Sequence, residues 1–131
     1  MKPTHATPTL TAAALLAALL AGCSAHGTSA GAAQSIAAGI TNAAYNDDVA
    51  KVTKPFDPAL LRQVTRAEVG ALSDQMHAHG AYKGLTLLSV DAAKSEFTYR
   101  ADFTKGSANV VLRLDPNGSV SAYRVFFPSA N

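Results

Sequence analysis

Four groups of side chains in this sequence are of types that do chemistry. His77 and His79, two residues apart, invite a shared metal ion, and the adjacent carboxylates Asp47 and Asp48 invite general acid–base work. Arg100, Asp102 and Arg113 gather charges of both signs in the second half of the chain. Tyr45, Tyr82, Tyr99 and Tyr123, with Phe97 and Phe103, offer flat apolar bodies, four of them ending in a hydroxyl, of the kind that lines ligand pockets.

Spacing decides how far each idea goes. Residues two apart on a helix point about 200° away from each other, whereas shared ligation takes i and i+3 or i+4. The two histidines therefore read as helix-end residues beside the negative end of a helix dipole, and no metal is expected. Adjacent carboxylates diverge, and Asp47 reads as an N-cap. The Arg100, Asp102 and Arg113 cluster reads as cross-strand pairing on a polar sheet face, worth roughly 0.2–1 kcal/mol per pair. Its sharper reading is an anion or partner site on that open face. The aromatic residues read mainly as core, with Tyr45, Tyr82, Tyr99, Phe103 and Tyr123 as the candidate lining of a pocket at the sheet–helix boundary. Phosphate loops, serine elbows and zinc-protease helices are absent from the sequence, so no catalytic residue, enzyme activity or cofactor is expected.

The elements that must position these residues change period once. Ile36, Ile40 and Ala43-Ala44 recur as one helix face ending near Tyr45-Asn46. Asp47 then caps a short helix from Asp48 to about Lys54, which Pro55 ends. Asp57-Pro58 opens a turn of helix with Leu60 and Leu61. Thr65-Arg66-Ala67-Glu68 is a capping box for a helix with Val69, Leu72 and Met76 on one stripe, stopped by Gly80. After Gly84 the period becomes two. Leu85 to Val90, Glu96 to Phe103, the stretch from Ala108 to Leu114, and Val120 to Phe127 read as strands, with turns at Thr104–Ser107 and Asp115-Pro116-Asn117-Gly118. The expected fold class is α+β: N-terminal helices packed on a three- to four-stranded antiparallel meander. The last strand is ambiguous. Either Val120, Ala122 and Phe126 face inward with Arg124, or Tyr123, Val125 and Phe127 do, and a bulge after Gly118 would reconcile them.

The start of the chain carries a different message. Lys2 precedes an apolar run from Leu10 to Leu20, and Leu20-Ala21-Gly22-Cys23 follows, with Cys23 the single cysteine of the sequence. Eleven residues rise only about 16 Å as a helix, short of the roughly 20 residues that span a bilayer. The pattern resembles the lipobox of bacterial lipoproteins. That resemblance implies cleavage between Gly22 and Cys23 by signal peptidase II and a diacylglyceryl anchor on Cys23. Residues 1–22 then form the signal peptide, 23–33 the lipidated cysteine and a small-residue tether containing His26, and 34–131 a single domain. Ser24 is similar to the outer-membrane sorting class, which implies an outer-membrane protein facing the periplasm in a two-membrane envelope. In a one-membrane envelope the anchor holds it on the outer face of the cytoplasmic membrane. With 11 basic and 9 acidic side chains in the whole sequence, the charge is too balanced for nucleic acid.

The layout is also similar to the nuclear-transport-factor-2-like superfamily of cone-shaped α+β domains. The likeness is carried by Ala44-Tyr45-Asn46-Asp47-Asp48, Phe56-Asp57, Leu60-Leu61, the Thr65 helix, Gly80-Ala81-Tyr82-Lys83 and Asp115-Pro116-Asn117-Gly118. It implies a fold and no activity, since these positions are caps, turns and core. The expected function is a lipid-anchored envelope protein that binds a small apolar or amphipathic ligand, or a protein partner, near the membrane. A structural or accessory role in envelope assembly is the alternative, an enzyme the third reading, and a homodimer would point to sheet-mediated assembly.

Replacing Cys23 by serine is expected to abolish incorporation of labelled palmitate and to release the protein from the membrane fraction. Label retained in the variant would overturn the lipobox reading.

Overall fold

A face of small residues on the first helix sets how this chain closes. The computed structural model describes residues 29–129, so Gly22, Cys23 and the signal segment lie outside the described residues. Helix α1 spans Ala30–Tyr45, with Ser29 as N-cap accepting the Ala32 amide at 3.2 Å. It begins inside the stretch read as tether: Ala30 to Ala33 are helical and Ala33 is fully buried. The absence of large apolar residues there suggested that nothing could be buried. Alanine is instead the best helix former, and its small side chain lets the helix approach its neighbours closely.

The buried face of α1 runs through Ala33, Ala37, Ile40, Thr41 and Ala44. Its C-terminus closes as a Schellman motif, with Asp47 N–H to Ala44 O at 3.1 Å and Asp48 N–H to Ala43 O at 2.9 Å. Asp47 occupies the left-handed position of that motif, φ +54°. The N-cap of α2 (Val49–Thr53) is accordingly Asp48 and not Asp47, its carboxylate accepting the Lys51 amide at 3.1 Å. Helix α3 (Pro58–Leu61) carries Asp57 as N-cap and Pro58 at its first position. Helix α4 (Arg66–Ala78) starts with the Thr65–Glu68 capping box, closed by Glu68 N–H to Thr65 Oγ1 at 3.2 Å and Thr65 N–H to Glu68 Oε2 at 2.8 Å.

The second half is a four-stranded antiparallel meander, order β1-β2-β3-β4, so the fold is α+β as the change of period implies. The strands are β1 (Tyr82–Asp91), β2 (Glu96–Phe103), β3 (Gly106–Leu114) and β4 (Val120–Phe126). Phe97, Tyr99, Ala101 and Phe103 of β2, with Ala108, Val110, Leu112 and Leu114 of β3, form the inner face, and all are buried. α1 packs against this sheet through β1 and β3, and against α2 and α4.

The ambiguity of the last strand has a single cause. Leu114 pairs with Val120, but Arg113 pairs with Ala122, so Ser121 is an extra residue in β4. Val120 faces inward before this bulge. After it, Tyr123 opposite Leu112 and Val125 opposite Val110 take over the inner face, and Phe126 is left exposed.

Helices and sheet are also stitched by backbone. Phe56 and Val120 form a parallel bridge, with Asp57 N–H to Val120 O and Val120 N–H to Pro55 O, both 2.8 Å. At the other seam the Thr104-Lys105 turn grips the end of α4. Lys105 N–H reaches His79 O at 2.8 Å, Thr104 N–H reaches Ala81 O at 3.0 Å, and Ala81 N–H reaches Thr104 Oγ1 at 2.9 Å. Gly80, at φ +93°, makes this grip possible, because a Cβ there would overlap Thr104 Oγ1.

Two glycine replacements should therefore act in opposite directions in urea titrations followed by circular dichroism. Gly80→Ala is expected to destabilise by about 2–4 kcal/mol, from a positive φ plus overpacking. Gly39→Ala, where a Cβ in the middle of α1 meets nothing within 4 Å, is expected to stabilise by about 0.5–1 kcal/mol.

Candidate functional site

The bulge at Ser121 does more than rescue the strand pattern. Where β4 turns over, it leaves a groove against the helices of about 310 Å³, at the lower end of the range for small-molecule sites. Ser121 to Arg124 of β4 form one wall, and Val69 and Leu72 of α4 form the other. Val52, Phe56, Leu60 and Val64, from α2 to the segment before α4, close the remainder with apolar surface. Gln63, Glu68 and Arg124 supply the polar rim. Glu68 is engaged by the capping box, whereas Arg124 is exposed and makes no ion pair among the described residues. The groove therefore combines an apolar bed with one uncommitted cation.

Tyr123 is the one residue of the sequence-predicted pocket that lines it. Its hydroxyl lies 2.8 Å from Thr41 Oγ1, and Thr41 Oγ1 lies 2.8 Å from Ala37 O. A carbonyl only accepts, so Thr41 spends its hydrogen on Ala37 and Tyr123 donates to Thr41. That bond pins the phenol to α1 and holds the ring still at the groove. Burial pushes the Tyr123 phenol far above its ordinary range.

The other four members of the predicted pocket lie elsewhere. Tyr99 is fully buried under the helices, its hydroxyl without a partner among the described residues, and Tyr82 Oη is in the same position. Burial raises the pKa of both. Tyr45, Tyr82 and Phe103 pack on one another with ring centroids 5.7–6.5 Å apart, a filled aromatic cluster. The two histidines extend it in different directions. His77 stacks on Tyr45 at 4.0 Å and His79 on Phe127 at 4.6 Å. Each Nδ1 lies within 2.9 Å of the carbonyl four residues earlier, Ser73 O and Gln75 O, and so carries its proton there. Among the described residues no group of three His, Cys, Asp or Glu side chains is placed to hold a metal ion.

The charge cluster divides into two pairs on the outer sheet face. Arg100 Nε binds Asp102 Oδ1 at 2.9 Å along β2, and Arg113 reaches across to Glu96 at 2.7 Å, not to Asp102. Arg100 and Asp102 also border an open depression with Lys83, Gly84 and Thr86. Asp48 holds a carboxyl below its usual range, through the Lys51 amide first and the Lys51 ammonium second. Both of its interactions belong to the helix cap.

Sequence reading missed Thr41, Ser73 and Arg124. Thr41 was findable, since it falls on the same helical stripe as Ala37 and Ala44. Ser73, which donates to Tyr45 O at 2.9 Å and ties α4 to the end of α1, sits between Val69 and Met76 on a stripe otherwise apolar. Arg124 carried no such signal, because its direction depends on the bulge. Comparison with known proteins finds no matching family model, no similar curated protein and no similar solved structure.

The raised phenols set a pH dependence. Above about pH 10 the unfolded chain releases phenol protons that the folded state retains, so stability is complete below that pH and falls as pH rises toward the folded pKa. The urea midpoint is expected to hold up to about pH 10 and to fall steadily above it, and Tyr123→Phe to flatten that fall. Equal slopes for the two proteins would remove Tyr123 from this account.

Proposed function

We propose that this chain is a lipid-anchored envelope protein whose α2–α4/β4 groove binds a small anionic amphiphile. The observation that carries the reading is the pairing of an apolar bed with Arg124 at its mouth. An alkyl or aromatic body is driven into such a bed by removal of apolar surface from water. A carboxylate or phosphate at its end meets the guanidinium, which suits planar oxyanions better than an ammonium does. Tyr123, already fixed by Thr41, needs no reordering on binding, which spares one entropic cost.

The lipobox reading places this binder at a membrane surface, where amphiphiles are abundant, on the periplasmic side of the outer membrane in a two-membrane envelope. In the nuclear-transport-factor-2-like domains that the layout resembles, a sheet and helices enclose a cone. Here the aromatic cluster of Tyr45, Tyr82 and Phe103 fills one part of that space, and the groove is the part left open.

Titration with 8-anilinonaphthalene-1-sulfonate, followed by displacement with dodecanoate, tests the proposal. Arg124→Glu is expected to weaken dodecanoate about tenfold or more, the value of one charge-assisted bond. Leu72→Arg should abolish binding by placing a charge in the bed. Affinity unchanged in both variants would show that the ligand does not occupy the groove.

A further inference from the structure

We infer that the distal half of β1 is a second membrane contact, an apolar edge that rests on the lipid surface and orients the domain. The inference rests on the reading of Cys23 as the anchored residue. Leu87, Leu88 and Val90 are 37%, 50% and 48% exposed, and they are three of the five large hydrophobic residues left exposed among the described residues. They lie together on the free edge of the sheet, since β1 pairs with β2 alone. Ala92, Ala93 and Lys94, all exposed, continue the patch to the tip of the β1–β2 hairpin.

The occupant is argued from the chain itself. Six residue steps separate Cys23 from Ser29, the N-cap of α1, a reach of at most about 22 Å. An acyl anchor on Cys23 therefore keeps the start of α1 close to the bilayer. That start lies beside the patch: the Gln34 side-chain amide bonds Leu85 O, at the point where β1 runs on to Leu87. Lys83 and Lys94 flank the apolar edge and can meet lipid phosphates, Lys94 being held by Asp91 only at 4.0 Å.

A second copy of the chain fits this edge less well. Adding a strand needs a straight ladder, and two residues of β1, Lys83 and Leu88, are extra against β2. Such bulges bend and twist a free edge away from pairing. Leu88, the extra residue of the second bulge, is half exposed, which suits side-chain insertion at headgroup depth, where the unpaired backbone groups of the edge still find water.

The chain has no tryptophan, so a single one reports its own surroundings. Residues 29–129 hold the buried core described above, so the chain from Cys23 onward serves for the test. It is coupled through the Cys23 thiol to maleimide-bearing lipid in vesicles of phosphatidylethanolamine and phosphatidylglycerol, with dibrominated phosphatidylcholine as quencher. Leu88→Trp is expected to shift to the blue and lose about half its emission, while Phe126→Trp on the opposite edge keeps its solution spectrum. Leu88→Trp unchanged by coupling, or both reporters quenched alike, would overturn the inference. In the uncoupled Cys23→Ser protein, Leu87→Ser/Leu88→Ser/Val90→Ser should weaken vesicle binding about tenfold or more, and no change would count against the contact. Chemical coupling makes these results independent of natural lipidation, which palmitate labelling reads separately.

Discussion

The structure depends on burying α1 against the inner face of the sheet. A domain of this size, with no second cysteine to staple it, has to stabilise itself through one modest core. α1 ties that core together: it packs on β1 and β3 of the sheet and on α2 and α4, and its end is tied to α4 through Ser73. Alanines at 33, 37 and 44 allow the close approach, and Ile40 supplies most of the volume. Because the face is small-sided, its one hydroxyl, Thr41, comes within reach of Tyr123 on β4.

That contact links the core to the groove. The Thr41–Tyr123 bond exists because β4 has already crossed its bulge at Ser121, which rotates Tyr123 inward and leaves Arg124 outward. Without the extra residue Tyr123 would point to solvent, the groove would lose a wall, and the cation would face the core. Two features that read as irregularities, a polar residue on an apolar helix face and a break in strand alternation, are therefore parts of one arrangement. The backbone stitches at Phe56–Val120 and Thr104–Ala81 hold the helical half in register with the sheet on either side of it.

Charge is distributed by the same geometry. The outer sheet face carries its ion pairs in the open, where each contributes little to stability. What those pairs do is keep that face hydrated, so that exposed apolar surface is concentrated at the free edge of β1. The domain thus has a polar sheet face, an apolar edge beside the start of α1 and a groove on the helical side, three surfaces suited to different contacts.

Local chemistry was enough to locate the caps at Asp57 and Thr65, the stops at Pro55 and Gly80, the strand from Glu96 to Phe103 and the turn at Asp115, each of which depends on a few adjacent residues. It was enough, too, for the α+β class, because the change of hydrophobic period is a one-dimensional signal. Asp47 was misplaced as a cap, since only the closed end of α1 shows which of two adjacent aspartates takes the left-handed position. The tether was drawn too long, since whether alanines are buried depends on what lies opposite them. The candidate pocket suffered most. Of Tyr45, Tyr82, Tyr99, Phe103 and Tyr123, all suitable by type, only Tyr123 lines the groove, because a cavity is a property of how distant elements fail to meet. Sequence alone determined the elements and their order. The tertiary structure decided which side chains face one another, since a single extra residue at Ser121 inverts every side chain after it.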